Sequence, residues 1–282
     1  MRVLMIGDIY GAPGRAMVAR LVPALRARHR LDWVIANGEN ATGGAGLSPH
    51  HRDRLLAAGI DLLTGGNHLF ARPDWPATVG GAGRALRPHN LGGDALPGKG
   101  WAVLEHPQRP PLAVLNLEGR VFLDPADCPF RWADALLARL PAGVPVVVDF
   151  HAEATSEKLA LAWYLDGRVA FVAGTHTHVQ TSDERILPGG TGVITDLGMT
   201  GPRDGILGVA RETVIGRFRN GFSERFQPAE GPSVLEGVLV EIGADDGRAR
   251  AITRLRLQEA EGGAADGGGE AAGGKASSSC SR

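Results

Sequence analysis

Val3-Leu4-Met5-Ile6-Gly7-Asp8 is a run of apolar residues closed by a glycine and a carboxylate. A short apolar run bounded by glycine is the pattern of a strand buried on both faces, and it leaves the polar residue just past the strand end. The same grammar recurs along the chain. Trp33-Val34-Ile35-Ala36 precedes Asn37-Gly38-Glu39-Asn40, and Ile60-Asp61-Leu62-Leu63 precedes Gly65-Gly66-Asn67-His68. Val144-Pro145-Val146-Val147-Val148 precedes Asp149-Phe150-His151, and Val169-Ala170-Phe171-Val172 precedes Gly174-Thr175-His176-Thr177-His178. In open α/β sheets ligands bind outside the carboxyl ends of the strands, so all of these clusters are expected on one rim.

Val18, Leu21, Val22 and Leu25 repeat in helical period within 16–29, and Ser48-Pro49 supplies an N-cap and first-turn proline for a helix that Gly59 closes. The N-terminal third is therefore α/β with parallel pairing. Over 84–119 the strand-like runs 101–105 and 112–117 leave no room for a helix between them, which predicts a second sheet or an antiparallel edge. Helices are expected near 131–139, 156–165 and 209–218. The runs 185–187, 191–195, 234–242 and 250–257 read as antiparallel strands. This order fits an α/β fold in which two mixed β-sheets form a sandwich flanked by helices (α/β/β/α), better than a barrel.

With 282 residues the chain has material for one large domain, and nothing interrupts its alternation before about residue 258. Residues 1–258 are expected to form the catalytic domain. Residues 259–282 are rich in Gly, Ala and Ser with almost nothing apolar to bury, so this tail is expected to be disordered. Lys plus Arg number 30 against 31 Asp plus Glu, a net charge of -1 that offers no broad basic face for duplex DNA or an anionic membrane. The N-terminus lacks the pattern of a signal peptide, and no stretch approaches the roughly 18 apolar residues of a membrane span. Cys128 and Cys280 make no disulfide framework, so a reducing cytoplasm is the default expectation.

Carboxylate oxygens, Asn carbonyls and neutral imidazoles together suit borderline divalent ions such as Mn, Fe or Zn rather than Mg or Ca. Glu39, central among the strand ends, is the expected bridging ligand. His176 and His178, past a strand end at a glycine turn, are expected to splay toward different ions. His68 follows Asn67 in a Gly-Gly-Asn-His turn and can aim at whatever the ions hold, donating a proton to a leaving alkoxide. Gly43, Gly44 and Gly46 read equally well as an ordinary turn or as backbone that approaches a phosphate. Gly11-Ala12-Pro13-Gly14-Arg15 lacks the Gly-Lys-Ser/Thr ending of a Walker loop, and Arg15 reads as a helix-surface residue or a phosphate contact.

Gly7-Asp8, Gly38-Glu39-Asn40, Gly66-Asn67-His68, His151 and Gly174-Thr175-His176-Thr177-His178 resemble the calcineurin-like metallophosphoesterases, whose order is Asp-x-His, Gly-Asp, Gly-Asn-His, His, Gly-His-x-His. Here Tyr10 replaces the first-motif histidine, Glu39 stands for the bridging Asp, and Asn40 follows it. With Asn37-Gly38-Glu39-Asn40-Ala41 and His151-Ala152-Glu153-Ala154-Thr155-Ser156-Glu157-Lys158, the chain is similar to the bacterial YmdB-like branch over about 1–258. The resemblance implies one metal on Asp8, Glu39, Asn40 and His178, and another on Glu39, Asn67, His151 and His176, with His68 as proton donor. It implies a phosphodiesterase for 2',3'-cyclic nucleotides, commonly with iron, on a sandwich of two mixed sheets. Relatives often place an acid just after the Gly-Asn-His histidine; Leu69 and Phe70 follow here, leaving Asp74 as the candidate to orient the ring.

The implied chemistry is in-line displacement by a hydroxide held between two ions about 3.5 to 4 Å apart. Asn40 in place of a histidine hardens one site, which favours Fe or Mn, with Zn admitted. The expected partner is a small nucleotide or phosphodiester, without membrane or extended duplex DNA, and a dimer is the commonest closed assembly. Two other readings use the same residues: a metal-dependent amide hydrolase, and a regulatory module that binds a nucleotide or RNA end with little or no turnover.

Overall fold

The computed structural model of the chain describes residues 1–80, 84–221 and 225–259. Strand β1 (Arg2–Ile6) shows how the layers arise: Leu4 and Ile6 join one apolar cluster, and Val3 and Met5 join another on the opposite face. Alternation of side chains across a strand makes this division automatic. Each such side chain, fully buried, contributes roughly 1.5–3 kcal/mol relative to exposure.

The first sheet runs β2 (Asp8–Ile9), β11 (Met199–Pro202), β12 (Ser233–Ile242), β1, β3 (Trp33–Asn37), β4 (Leu62–Thr64), with β13 (Ala249–Gln258) added on β12. β1, β3 and β4 are mutually parallel, whereas β12 is antiparallel to β1. The second sheet runs β5 (Trp101–His106), β6 (Arg109–Glu118), β7 (Val146–His151), β8 (Phe171–Thr175), β10 (Gly192–Ile194), β9 (Arg185–Ile186). Its β5–β6 hairpin is the antiparallel edge expected of the middle region, and β6, β7 and β8 are parallel.

The cluster containing Val3, Met5, Ile35, Val114, Val147 and Phe171 fills the space between the sheets. The cluster containing Leu4, Ile6, Val18, Val22 and Leu55 lies under α1 (Gly11–His29) and α2 (Pro49–Ala57). A third, with Leu115, Phe150, Ala133 and Leu161, lies under α4 (Pro129–Leu137) and α5 (Thr155–Tyr164). α3 (Trp75–Val79) and α6 (Arg211–Asn220) are peripheral. The result is the expected α/β/β/α sandwich. Among the described residues no helix is long and apolar enough to cross a membrane.

Several boundaries differ from the sequence expectation. α1 begins at Gly11 rather than 16, with Pro13 accommodated in its first turn, where a missing N–H costs nothing. β7 and β8 run on through His151 and Thr175, because polar residues there are satisfied within the site. β10 pairs in parallel with β8 and antiparallel only with β9, which corrects the all-antiparallel expectation for that region. Ser48 caps α2 as expected, accepting from His51 N at 3.3 Å. Glu259, assigned from sequence to the tail, bonds β12 through Ser233 and pairs with Arg20 of α1. The rest of the expected tail, 260–282, lies outside the described residues.

Candidate metal centre

The layer between the sheets is apolar over most of its depth and turns polar toward the carboxyl ends of the strands. Asn37, Thr64, Asn116, Asp149 and Thr175 continue the inward-facing register of Ile35, Leu62, Val114, Val147 and Phe171. At that rim the sequence-predicted donors meet, and they come from both sheets rather than one. Asp8, Glu39, Asn40 and Asn67 are supplied by the first sheet and its turns, whereas His151, His176 and His178 are supplied by the second.

His151 Nε2 lies 3.2 Å from Glu39 Oε1, 3.1 Å from Asn67 Oδ1 and 3.1 Å from His176 Nδ1. Glu39, His151 and His176 each offer one ligand atom, all within 4.8 Å of one another. On the other side of Glu39, Asn40 Nδ2 is 3.1 Å from Glu39 Oε1 and 3.2 Å from His178 Nε2. His178 Nε2 is 3.9 Å from Asp8 Oδ1. Glu39 thus stands between two groups of donors, and the two histidines of the β8 turn face different groups. His176 and His178 adopt φ of 105° and 62°, a costly conformation for a non-glycine residue that the surrounding contacts must hold. Gly66 lets this assembly close, since a Cβ there would lie 2.2 Å from the His151 ring.

Each imidazole has its second nitrogen fixed. His151 Nδ1 is 3.0 Å from Thr175 Oγ1, which donates to Asp149 Oδ1 at 2.7 Å. His176 Nε2 is 3.0 Å from Glu153 Oε2, and His178 Nδ1 is 3.0 Å from the Leu207 carbonyl. Partners of this kind set the tautomer and ring orientation of a metal-binding histidine. Asp196 Oδ2 accepts from Thr177 N at 3.1 Å and from Lys158 Nζ at 2.8 Å, bracing the turn from beneath.

The charge balance favours cations. Asp8 and Glu39 are fully buried, and their ion-pair partners among the described residues are histidines. Burial pushes the Asp8 carboxyl well above the usual carboxylate range. Burial, the largest single influence, would also raise Glu39, but His151 and His68 together outweigh it and hold Glu39 at about 2. Burial disfavours the His151 imidazolium, yet Glu39, Asp8 and Asp149 together lift it to about 10. His176, by contrast, is driven down to about 3 by burial and by His151. One proton therefore stands where a divalent ion would balance the carboxylates better. Asp8 Oδ1 and Asn40 Oδ1 are buried without a hydrogen-bond partner among the described residues. Buried oxygens are seldom left so, and the donor set of oxygen and imidazole fits divalent ions of the Fe, Mn or Zn type.

His68 is exposed; its backbone N donates to Glu39 Oε2 at 3.0 Å, and its ring has no hydrogen-bond partner among the described residues. Asp74 does not orient it, being held by Arg72 in a fork at 2.9 and 3.1 Å. Gly43, Gly44 and Gly46 all have positive φ, and a Cβ at Gly44 would strike the Tyr10 hydroxyl. Arg15 donates to the Ala41 carbonyl, so it anchors this turn from α1.

Sequence reasoning missed Asp149, Thr175, Glu153, the Leu207 carbonyl and Glu118. Asp149 was within reach, because it is two residues from His151 and so on the same face of the strand. Glu118 also carries the tell-tale grammar, an apolar run followed by an acid and Gly119; it pairs in register with His151. A backbone carbonyl from a distant loop carries no side-chain signal.

Residues 4–255 match the family model for YmdB-like proteins. A 2',3'-cyclic-nucleotide 2'-phosphodiesterase of Bacillus subtilis (strain 168) is 46% identical over 260 residues, covering 92% of this chain and 98% of its own length. A solved hypothetical protein from Thermus thermophilus superposes with a TM-score of 0.85 at 42% identity, covering 92% of this chain and 99% of that one. A novel phosphatase from Mycoplasma pneumoniae gives a TM-score of 0.85 at 33% identity, covering 92% of this chain and 93% of its own. Likeness to a phosphoric diester hydrolase thus extends over nearly the whole chain, and the chain belongs to the YmdB-like protein family, with the two-sheet fold of the metallophosphoesterases.

Proposed function

We propose that this chain is a dinuclear-metal-dependent phosphodiesterase that opens small cyclic nucleotides, 2',3'-cyclic nucleotides above all. The observation that carries the reading is the convergence of six donor side chains from two sheets around Glu39, with buried oxygens of Asp8 and Asn40 that have no hydrogen-bond partner among the described residues. Asp8, Glu39, Asn40 and His178 would hold one ion, and Glu39, Asn67, His151 and His176 the other. Fe or Mn is favoured by the oxygen-rich side, with Zn admitted by the ligand types. Bound there, two divalent ions would activate water and neutralise phosphate oxygens.

The chain's own residues do the rest. Glu153, Thr175 and the Leu207 carbonyl hold the three rings in place, so little reorganisation is needed when the phosphate arrives. His68, exposed at the rim with a ring that has no hydrogen-bond partner among the described residues, gives its proton to the departing ribose oxygen. A small substrate held through its phosphate needs no broad basic surface, consistent with a net charge of -1 for the chain.

Metal analysis of protein prepared under metal-replete, anaerobic conditions, with hydrolysis of bis(p-nitrophenyl) phosphate and of 2',3'-cyclic nucleotides, tests this directly. Fewer than one ion per chain and no turnover would reject it. His68→Ala is expected to keep its metal while kcat falls by roughly 100- to 10,000-fold, the usual worth of a general acid. Loss of metal in that variant would make His68 a ligand instead.

A further inference from the structure

An open cavity of about 580 Å3 has a lining that includes Phe70, Asn90, Leu91, Leu96, Pro125 and Asp127. Phe70 stands two residues after His68 on the same 3-10 turn, Asn67–Ala71. Pro125 and Asp127 belong to the segment leaving β6, whose last residue, Glu118, is the register partner of His151. Its lining is therefore drawn from the turn that bears His68 and from the segment that follows the strand beside His151.

We propose that this cavity is the nucleoside pocket, that Phe70 stacks on the base, and that Asp127 selects guanine. The assignment rests on the phosphodiesterase reading and on His68 as proton donor, and it adds where the nucleoside lies and which base is preferred. In an in-line displacement the oxygen of water bonds to phosphorus on the face opposite the bond that breaks. As the phosphorus–ribose oxygen bond breaks, its electron pair takes the proton of His68, and the attacking water releases its own proton to solvent. The ribose must then lie on the His68 side, and the base must extend into whatever space adjoins that turn.

The lining suits a base. Phe70, Leu91, Leu96 and Pro125 present apolar surface, and the volume is within the roughly 300–1,000 Å3 of small-molecule sites. The Phe70 ring is fixed edge-on against Trp75, with centroids 4.9 Å apart, so it is preset for stacking. Asn90 is already committed: its amide nitrogen donates to the Glu118 carbonyl at 2.7 Å and the Asp127 carbonyl at 3.0 Å, and its oxygen accepts from Glu118 N at 2.8 Å. It shapes the wall and ties Asp127 in place. Among the described residues the Asp127 carboxylate has one long contact, from Trp132 Nε1 at 3.4 Å, and keeps acceptor capacity free. Two carboxylate oxygens match adjacent N–H donors, which guanine presents at N1 and N2. Adenine offers only its exocyclic amine, and uracil a single imide N–H.

Steady-state kinetics of the metal-loaded enzyme on 2',3'-cyclic GMP, AMP, CMP and UMP, and on bis(p-nitrophenyl) phosphate, tests the assignment. The wild type should favour the guanine substrate. Phe70→Ala should raise KM for every cyclic nucleotide by roughly tenfold or more, and Phe70→Trp should recover it, as stacking predicts. Asp127→Asn should cut the guanine-to-uracil ratio of kcat/KM by roughly tenfold. Equal kcat/KM on all bases, or a Phe70→Ala loss of the same factor on cyclic nucleotides and on bis(p-nitrophenyl) phosphate, would overturn the pocket while leaving the phosphodiesterase intact. A wild type that binds metal yet cleaves none of these substrates would overturn the phosphodiesterase reading, and the pocket with it.

Discussion

Glu118 is fully buried, and neither of its carboxylate oxygens has a hydrogen-bond partner among the described residues. Burial lifts its pKa to about 7, against the pull of His151 and with the help of Glu39. A carboxyl raised in the folded state favours folding while it stays protonated. Its contribution is fully present below the unfolded value near 4.5 and is lost as pH rises to about 7. The expected loss is ~3 kcal/mol, flat above that window. Urea unfolding of chelator-treated protein at pH 4 and pH 9 checks this. Glu118→Gln should match the wild type at pH 4 and exceed it by about that amount at pH 9; parallel pH slopes for the two proteins would show that Glu118 is not held neutral. At this scale the donors were legible because each follows an apolar run. Glu118 obeys the same rule but ends a strand read as part of a second sheet or an antiparallel edge, with no neighbour assigned to it, so its place beside His151 was hidden.

The turn after β8 shows what an element needs beyond its own residues. Gly174-Thr175-His176-Thr177-His178 marks the turn in sequence, but the parts that hold it lie elsewhere: Lys158 on α5 and Asp196 after β10, a pair 2.8 Å apart and almost wholly buried. Removing one partner of such a pair leaves an uncompensated charge, at about 3–5 kcal/mol. Lys158→Met should therefore destabilise the protein by that order, and Lys158→Met with Asp196→Asn should recover much of the loss. Thermal unfolding of the two variants separates the outcomes, and an equal loss in both would mean that Lys158 serves only as packing. No periodicity links Lys158 to Asp196, so sequence could not pair them. Strand ends differ for a related reason: the apolar run ends at Val148, whereas the neighbours β6 and β8 continue the ladder of β7 to His151.

Across the whole molecule, the alternation of runs and helices made the two-sheet sandwich legible, but not which sheet owns which motif. That allocation matters, because donors split between the sheets make bound ions a clamp across the layer that separates them. Ions that bind only the folded state stabilise it by RT ln(1 + [L]/Kd), about 2.7 kcal/mol at a free concentration one hundred times Kd. The same ions must displace the proton that Glu39, Asp8 and Asp149 hold on His151 at about 10, since a ligating imidazole is neutral. Binding at pH 7.5 should then release at least one proton per chain, and affinity should climb with pH until it levels near 10. Titration calorimetry of chelator-treated protein with Mn, in buffers of different ionisation enthalpy, reads the proton count from the slope of apparent enthalpy against buffer enthalpy. A slope of zero would mean that His151 enters the centre already neutral. The three buried carboxylates would then be balanced by some other group, and the ions would no longer be needed to reconcile the two sheets at their shared rim.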